Sequence, residues 1–374
     1  MSGTGPFRIV AINPGATSTK YGVFMDDVPT TTGAVAHSET ELAPFATLPV
    51  TAQLDMRLAA LLASGQRGLE EAVAAADAVV GRGGLLEPLP GGTYVIDDDV
   101  IADLRAARRG EHASNLGPML ARRLAATAGC PAYLVDPVSV DEWPDVARYT
   151  GLAGIERESL SHALNSRAVA RRHARRHDRS YDALRLVVVH MGTGITVSAH
   201  AGGRMVDACN SMDEGPFGMD RAGGLPVSRL LELAESVAAD KVPLRRRIFG
   251  GGGVQSYLGT SDLRAVIQRI DDGDEYAADV INAMLYQVVR EAGAMAAVLD
   301  GRLDAVLLTG GMVHAASIAE RLAARLSWLA PVHTYPGEDE LRALAEGALR
   351  VLRGEQPALR YAEHRLPRRR LRTP

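Results

Sequence analysis

The sequence predicts an α/β protein made of two copies of one unit. First, an apolar strand that runs into a turn of glycine and hydroxyl residues and then into a second strand occurs at FRIVAINPGATSTKYGVF (7–24) and again at LRLVVVHMGTGITVSAH (184–200). Second, apolar strands alternate with Ala/Leu-rich helical stretches in both halves, the pattern of a mixed α/β architecture. Third, 374 residues with 47% hydrophobic content exceed what one compact core organises, so two domains are expected.

In chain order, residues 7–12 and 20–24 read as strands, and the Pro/Thr-rich stretch 28–50 as short strands and turns. Ala and Leu at helical spacing predict helices over 52–64 and 68–77, ending at a buried strand 78–80 and the turn Arg82-Gly83-Gly84. Helices follow over 97–108 and 113–128. The short apolar strand 132–135 delivers Asp136 at its C-terminal end, where open α/β sheets place ligand-facing groups; Asp136 reads either as a metal or orienting carboxylate or as the start of an Asp-Pro turn. An Arg- and His-rich helix is expected over 156–179, its charges forming a solvated face. The pattern then restarts after Leu186: strand, glycine turn, strand, a Gly-Gly turn at 202–203, strand 204–208, a glycine-rich loop and helices. The strand 305–308 runs into Thr309-Gly310-Gly311, which reads as a nucleotide phosphate or base site or as plain helix entry.

The repeated turn carries the chemistry. Glycine lets the backbone approach a ligand closely, so that successive N–H groups point at one anionic oxygen. Gly15, with the hydroxyls of Thr17, Ser18 and Thr19, and Gly192-Thr193-Gly194 have this character, and two such turns facing each other would hold ATP across a cleft; an ordinary hairpin is the other reading of either turn alone. The first is no Walker A loop, because Lys20 opens a strand and no helix follows.

Net charge is −4 with 23% charged residues, which gives no global argument for nucleic acid or an anionic membrane. The two cysteines, Cys130 and Cys209, fit a reducing cytosol, and no stretch approaches the ~18 apolar residues of a membrane span. A cytoplasmic protein is expected. The basic run Arg365–Arg372 lacks interleaved aromatics and reads as a solvated tail.

In this order, NPGATSTK (13–20), GRGGLLEPLPGGTY (81–94), EHASNLG (111–117), VDPVSVDEWPDVAR (135–148), SHALN (161–165), HMGTGITVSAH (190–200), GPFGMDRAGGLP (215–226), GGGVQSYLGTSDLR (251–264), LTGG (308–311) and YPGEDELRALAEGALRVL (335–352) span nearly the whole chain. The set resembles the acetate and sugar kinase, Hsp70 and actin superfamily, and within it the butyrate kinase branch of the acetokinase (short-chain fatty acid kinase) family. The resemblance implies two duplicated actin-like ATPase (ribonuclease H-like) domains with an interdomain nucleotide cleft: 1–155, joined by a C-terminal helix at about 350–374, and a nucleotide-binding 156–349. It further implies ATP- and Mg²⁺-dependent phosphorylation of a short-chain fatty acid, butyrate or a branched analogue, to the acyl phosphate by a homodimer or higher homo-oligomer, with no nucleic acid or membrane partner; a kinase for a different carboxylic acid, or a non-catalytic ATP-binding scaffold of the same superfamily, is the other reading.

Phosphoryl transfer needs groups held in line and donors around the equatorial oxygens. By the resemblance, His190 and Arg221 take the transition-state positions. Asn13, Gly15, Ser18, Lys20, Gly192, Thr193, Gly194, Gly310 and Gly311 bind nucleotide; Asn13 and Asp136 serve the metal; and Arg82 binds the acyl carboxylate or the incoming phosphoryl group. Glu338 belongs to a branch motif without an assigned role. Ala16, Ala222 and Gly224 stand where relatives carry hydroxyl residues, and Glu158 where acetate kinases place a catalytic His. One lost transition-state donor costs about 10²- to 10³-fold in rate.

Overall fold

The computed structural model describes residues 5–63, 68–210, 212–237 and 243–366; Arg368-Arg369-Arg370 of the basic run, with 367–374 of the expected terminal helix, lies outside them. The chain forms two compact units, 1–141 with 339–374, and 142–338. The first boundary falls before the expected 155/156 because Glu142 and Trp143 are anchored in the second unit. Glu142 accepts from Arg167 at 2.5 Å and from the Met205 N–H at 2.8 Å, and the Arg157 guanidinium lies 4.7 Å over the Trp143 ring.

In the first unit, β1 (Arg8–Pro14), β2 (Ser18–Met25), β3 (Val28–Ala36), β4 (Ala78–Arg82), β5 (Thr93–Val95) and β6 (Ala132–Val135) form a sheet in the order β3-β2-β1-β4-β6-β5. β1, β4 and β6 are parallel; β2, β3 and β5 run against their neighbours. Alternation along the strands divides the sheet. Val10, Ile12, Val79 and Leu134 meet Leu116, Leu120 and Leu124 of the helix Leu116–Ala128 in a buried core. Here Gly81 and Gly117 let strand and helix backbones touch where no Cβ would fit. The opposite face is covered by the helix Glu340–Leu352, whose Gly347 lies on Val135 and whose Leu341 reaches Gly22. The return to the first unit therefore begins at 339, earlier than the expected 350.

The second unit repeats the plan. β7 (Leu186–Met191), β8 (Ile195–Ala201), β9 (Arg204–Ala208), β10 (Ala305–Gly310) and β11 (Val332–Pro336) lie in the order β11-β10-β7-β8-β9, the first sheet's order without its edge strand β5. Val187, Val189, Ile195, Val197, Val306 and Leu308 face the long helix Glu275–Val298. The other face, with Leu186, Val188, Ala305 and Leu307, is covered by Val169, Ala170 and Ala174 of the helix Ala163–Arg176. That helix starts later than the sequence pattern suggests, because Glu156 is held in a bridge with Tyr149 and Arg157 is spent on Asp207 and Glu214. β3 is one nine-residue strand rather than several short ones, and β5 and β11 were not anticipated.

Candidate functional site

His190 lies in β7, buried at 1% exposure, on the sheet face covered by the helix Ala163–Arg176. Three residues into that helix, Asn165 points its amide nitrogen at His190 Nδ1 (2.8 Å) and at Thr309 Oγ1 (3.1 Å). The Thr309 hydroxyl donates to the Gly337 carbonyl at 3.1 Å, so toward Asn165 it can only accept. This orients the amide, makes His190 Nδ1 an acceptor, and places the ring proton on Nε2. Nε2 is buried without a hydrogen-bond partner, and Glu338 Oε1 stands 3.5 Å away. The His162 ring stacks on His190 at 4.1 Å between centroids and is itself held by Thr196 at 2.9 Å.

The glycines around His190 permit close backbone approach. A Cβ on Gly192 would run into Glu338, and one on Gly310, at φ 98°, into the Met191 backbone. Gly310 and Gly337 exchange N–H to carbonyl bonds at 3.1 and 3.0 Å, which brings Glu338 back toward the end of β7. In the turn itself the Gly192 N–H is used internally on Gly194 O, while the Thr193 side chain is exposed. The loop bearing Arg221 docks there: the Met219 N–H reaches Thr193 O at 3.3 Å, and Gly218 packs against Thr193 and Gly194. Arg221 is fixed by its backbone, bridging to Phe249 and accepting the Gly218 N–H at 3.0 Å, with its side chain partly exposed. Gly311 opens a short 3-10 turn and is exposed. Cys209 packs under Gly215, and burial pushes its thiol far above the usual range, which makes it inert. Gly224 is exposed, and a Cβ there would meet nothing closer than 3.7 Å, so the absent hydroxyl is not excluded by space.

In the first unit, Asn13, Arg82 and Asp136 end the adjacent parallel strands β1, β4 and β6. Asn13 and Arg82 emerge on the face covered by the helix Glu340–Leu352 and share its first residue: Asn13 Nδ2 donates to Glu340 at 2.5 Å and Arg82 Nη1 at 2.8 Å. Asn13 Oδ1 is buried with no partner. Asp136, 2% exposed and at φ 37°, exchanges backbone and side-chain bonds with Gly92, whose N–H donates to Oδ1 at 2.8 Å. Lys20 pairs across from Asn13 and is exposed.

The turn at Gly15–Ser18 is braced from behind by Arg57, which the sequence reading passed over inside an Ala/Leu helix. Arg57 is 1% exposed and donates to Gly15 O, Ala16 O, Ser18 O and Thr19 Oγ1 at 2.9–3.2 Å. The Thr19 hydroxyl in turn meets His37 Nε2 at 2.8 Å, and burial first, then the Arg57 charge, holds His37 below the usual imidazole range. The other residues not foreseen are Asn165 and Glu340, although both stand inside the motifs SHALN and YPGEDEL. Glu158 is exposed.

The two sheets thus use one device: a strand-end polar residue, Asn13 or His190, caught by the first turn of the helix that covers its face. Together with the strand order this defines the actin-like ATPase fold. The model of the acetokinase family matches residues 148–334, half of the chain, and the chain belongs to that family. Solved structures agree on the fold. An acetate kinase from Porphyromonas gingivalis is 18% identical with a TM-score of 0.70, covering 91% of this chain and 99% of its own. A propionate kinase from Francisella tularensis subsp. tularensis SCHU S4 is 16% identical with a TM-score of 0.70, and an acetate kinase from Entamoeba histolytica is 14% identical with a TM-score of 0.69; each also covers 91% of this chain, and 99% and 98% of its own. Among the described residues, no helix is long and apolar enough to cross a membrane.

Proposed function

We propose that the protein transfers the γ-phosphoryl group of ATP to the carboxylate of a short-chain fatty acid, of butyrate length or a branched analogue, giving an acyl phosphate and ADP reversibly. The substrate carboxylate oxygen forms the new bond to phosphorus as the bond to the ADP oxygen breaks. The observation that carries this reading is His190: a buried ring whose proton Asn165 directs to Nε2, which makes no hydrogen bond, with Glu338 Oε1 standing 3.5 Å away. A donor preorganised in this way favours charge that develops on a transferring phosphoryl group, because it needs no reorganisation when that charge appears.

In this reading Arg221 supplies a guanidinium to the same oxygens, with the geometry for two parallel bonds. Arg82, whose Nη1 is committed to Glu340, turns its remaining donors to the acyl carboxylate. Gly15, Ser18, Lys20 and Gly192–Gly194 serve the nucleotide phosphates, and Gly310 and Gly311 the rest of the nucleotide. The buried, unpartnered Asn13 Oδ1 and the oriented Asp136 carboxylate are hard oxygen donors and fit Mg²⁺. When bound, the ion would neutralise charge on the phosphate oxygens. We also assign the protein a cytoplasmic location and a homo-oligomeric state, in keeping with the acetokinase resemblance.

The test is an ATP- and Mg²⁺-dependent assay that traps acyl phosphate with hydroxylamine, run from acetate to hexanoate and over branched, amino, hydroxy and aromatic acids. Product peaking at four-carbon acids and lost in Arg221→Ala is expected. Product only with another acid class would move the acceptor, and ATP binding without any product would make the protein a non-catalytic ATP-binding member of the fold.

A further inference from the structure

We propose that His173, His177 and His333 form a binding site for a divalent transition metal ion, Zn²⁺ by preference, at the end of the second unit's helix away from Asn165. His173 and His177 are one turn apart at the C-terminal end of the helix Ala163–Arg176, and His333 lies on β11 beneath them. One ligand nitrogen from each lies within 4.8 Å of the other two, and the ring centroids are 4.4 to 5.1 Å apart. A tetrahedral zinc with bonds of about 2.0–2.1 Å needs its nitrogens roughly 3.3–3.4 Å apart, a closure that small side-chain rotations supply.

The surroundings favour imidazole ligation over other roles. The Tyr335 hydroxyl engages His173 Nδ1 at 2.8 Å, which leaves Nε2 as the nitrogen to bind and supplies the partner that ligating histidines characteristically have on their other nitrogen. His177 is exposed and His333 half-buried, giving an ion an entry path and a fourth position for water. The positive Arg176 beside the cluster disfavours cations held by charge alone. The ion must therefore be one that three neutral nitrogens bind covalently enough to compensate, as Zn²⁺, Ni²⁺ or Cu²⁺ would be and Mg²⁺ or Ca²⁺ would not.

The position gives the site a consequence for the rest of the unit. The ion would tie the helix that carries Asn165 to the strand that leads through Tyr335 and Pro336 to Glu338, the two elements that hold and face His190. The inference stands independently of the reaction proposed above.

The experiment is titration of the chelator-stripped full chain with Zn²⁺ by calorimetry, and with Co²⁺ by visible absorption. One ion per chain is expected, with an intense tetrahedral Co²⁺ spectrum and no competition from Mg²⁺. His177→Ala and His333→Ala, both at sites reached by solvent, should each weaken binding more than the ~10-fold expected of Tyr335→Phe, while melting like the parent without metal. No saturable binding up to roughly millimolar metal, or equal binding by the parent and both histidine variants, would overturn the proposal.

Discussion

The amide nitrogen of Asn165 lies 2.8 Å from Nδ1 of His190 and thereby decides which nitrogen of a buried ring carries the proton. Replacing Asn165 by Asp offers an acceptor in the same place and draws the proton to Nδ1. ¹⁵N NMR of the ring should show the Nε2–H form in the parent and a protonated Nδ1 in Asn165→Asp. The variant should lose about 10²-fold in kcat, the scale of one misdirected transition-state donor, with little change in KM for ATP. An unchanged tautomer or an unchanged kcat would count against the assigned role of Asn165.

Arg57 stitches three carbonyls and a hydroxyl of the Gly15–Thr19 turn from its buried side. Arg57→Met leaves three half-buried carbonyls and the buried Thr19 hydroxyl without their donor, at a cost of about 1–3 kcal/mol in urea unfolding. ATP affinity should fall with it, because the backbone N–H groups of the turn lose their fixed direction. Arg57→Lys should rescue little, since a single ammonium cannot reproduce the fork. A variant that unfolds at the parental midpoint would show that the brace is dispensable.

Tyr361 is fully buried; its hydroxyl donates to Asp103 at 2.6 Å and accepts the Glu87 N–H at 3.1 Å. Burial first, then the bond to Asp103, raises its pKa well above the usual tyrosine value of about 10. The folded state thus holds this proton more tightly than the unfolded state does. The stability it contributes is complete below pH ~10 and is lost as pH rises beyond that. Tyr361→Phe should cost about 1–3 kcal/mol at neutral pH and should remove part of the alkaline decline. Parallel stability curves for the two proteins between pH 8 and 11 would contradict this.

The parallel core strands could be read from sequence because their signal is local. Ala132–Val135 is a short apolar run bounded by breakers, and β6 has those limits. β11 was hidden because His333 and Pro336 interrupt its pattern and it is only half covered, and β5 because three residues between a Gly-Gly pair and a helix cap carry no periodicity. The same division holds at the site. His190, Asn13 and Asp136 stand at strand ends, where position alone marks them. Arg57, Asn165 and Glu340 lie on helices, where a polar residue looks like part of a solvated face until the sheet beneath it is known. Their partners lie 42, 25 and 327 residues away, a separation no pattern in a short window reports.

The helix Glu340–Leu352, which closes one face of the first sheet, gives synthesis an unusual order. Segment 142–338 can complete its fold while the chain is still being extended, whereas the first segment waits for the helix Glu340–Leu352, about two hundred residues further on, before Val135 is covered and Asn13 and Arg82 meet Glu340. Until residues 340–352 have been made, the nascent first unit is left with an open apolar face, the kind of surface that calls for a chaperone. A ribosome that stops short of Glu340 would release a chain whose second unit is folded and whose first unit is not.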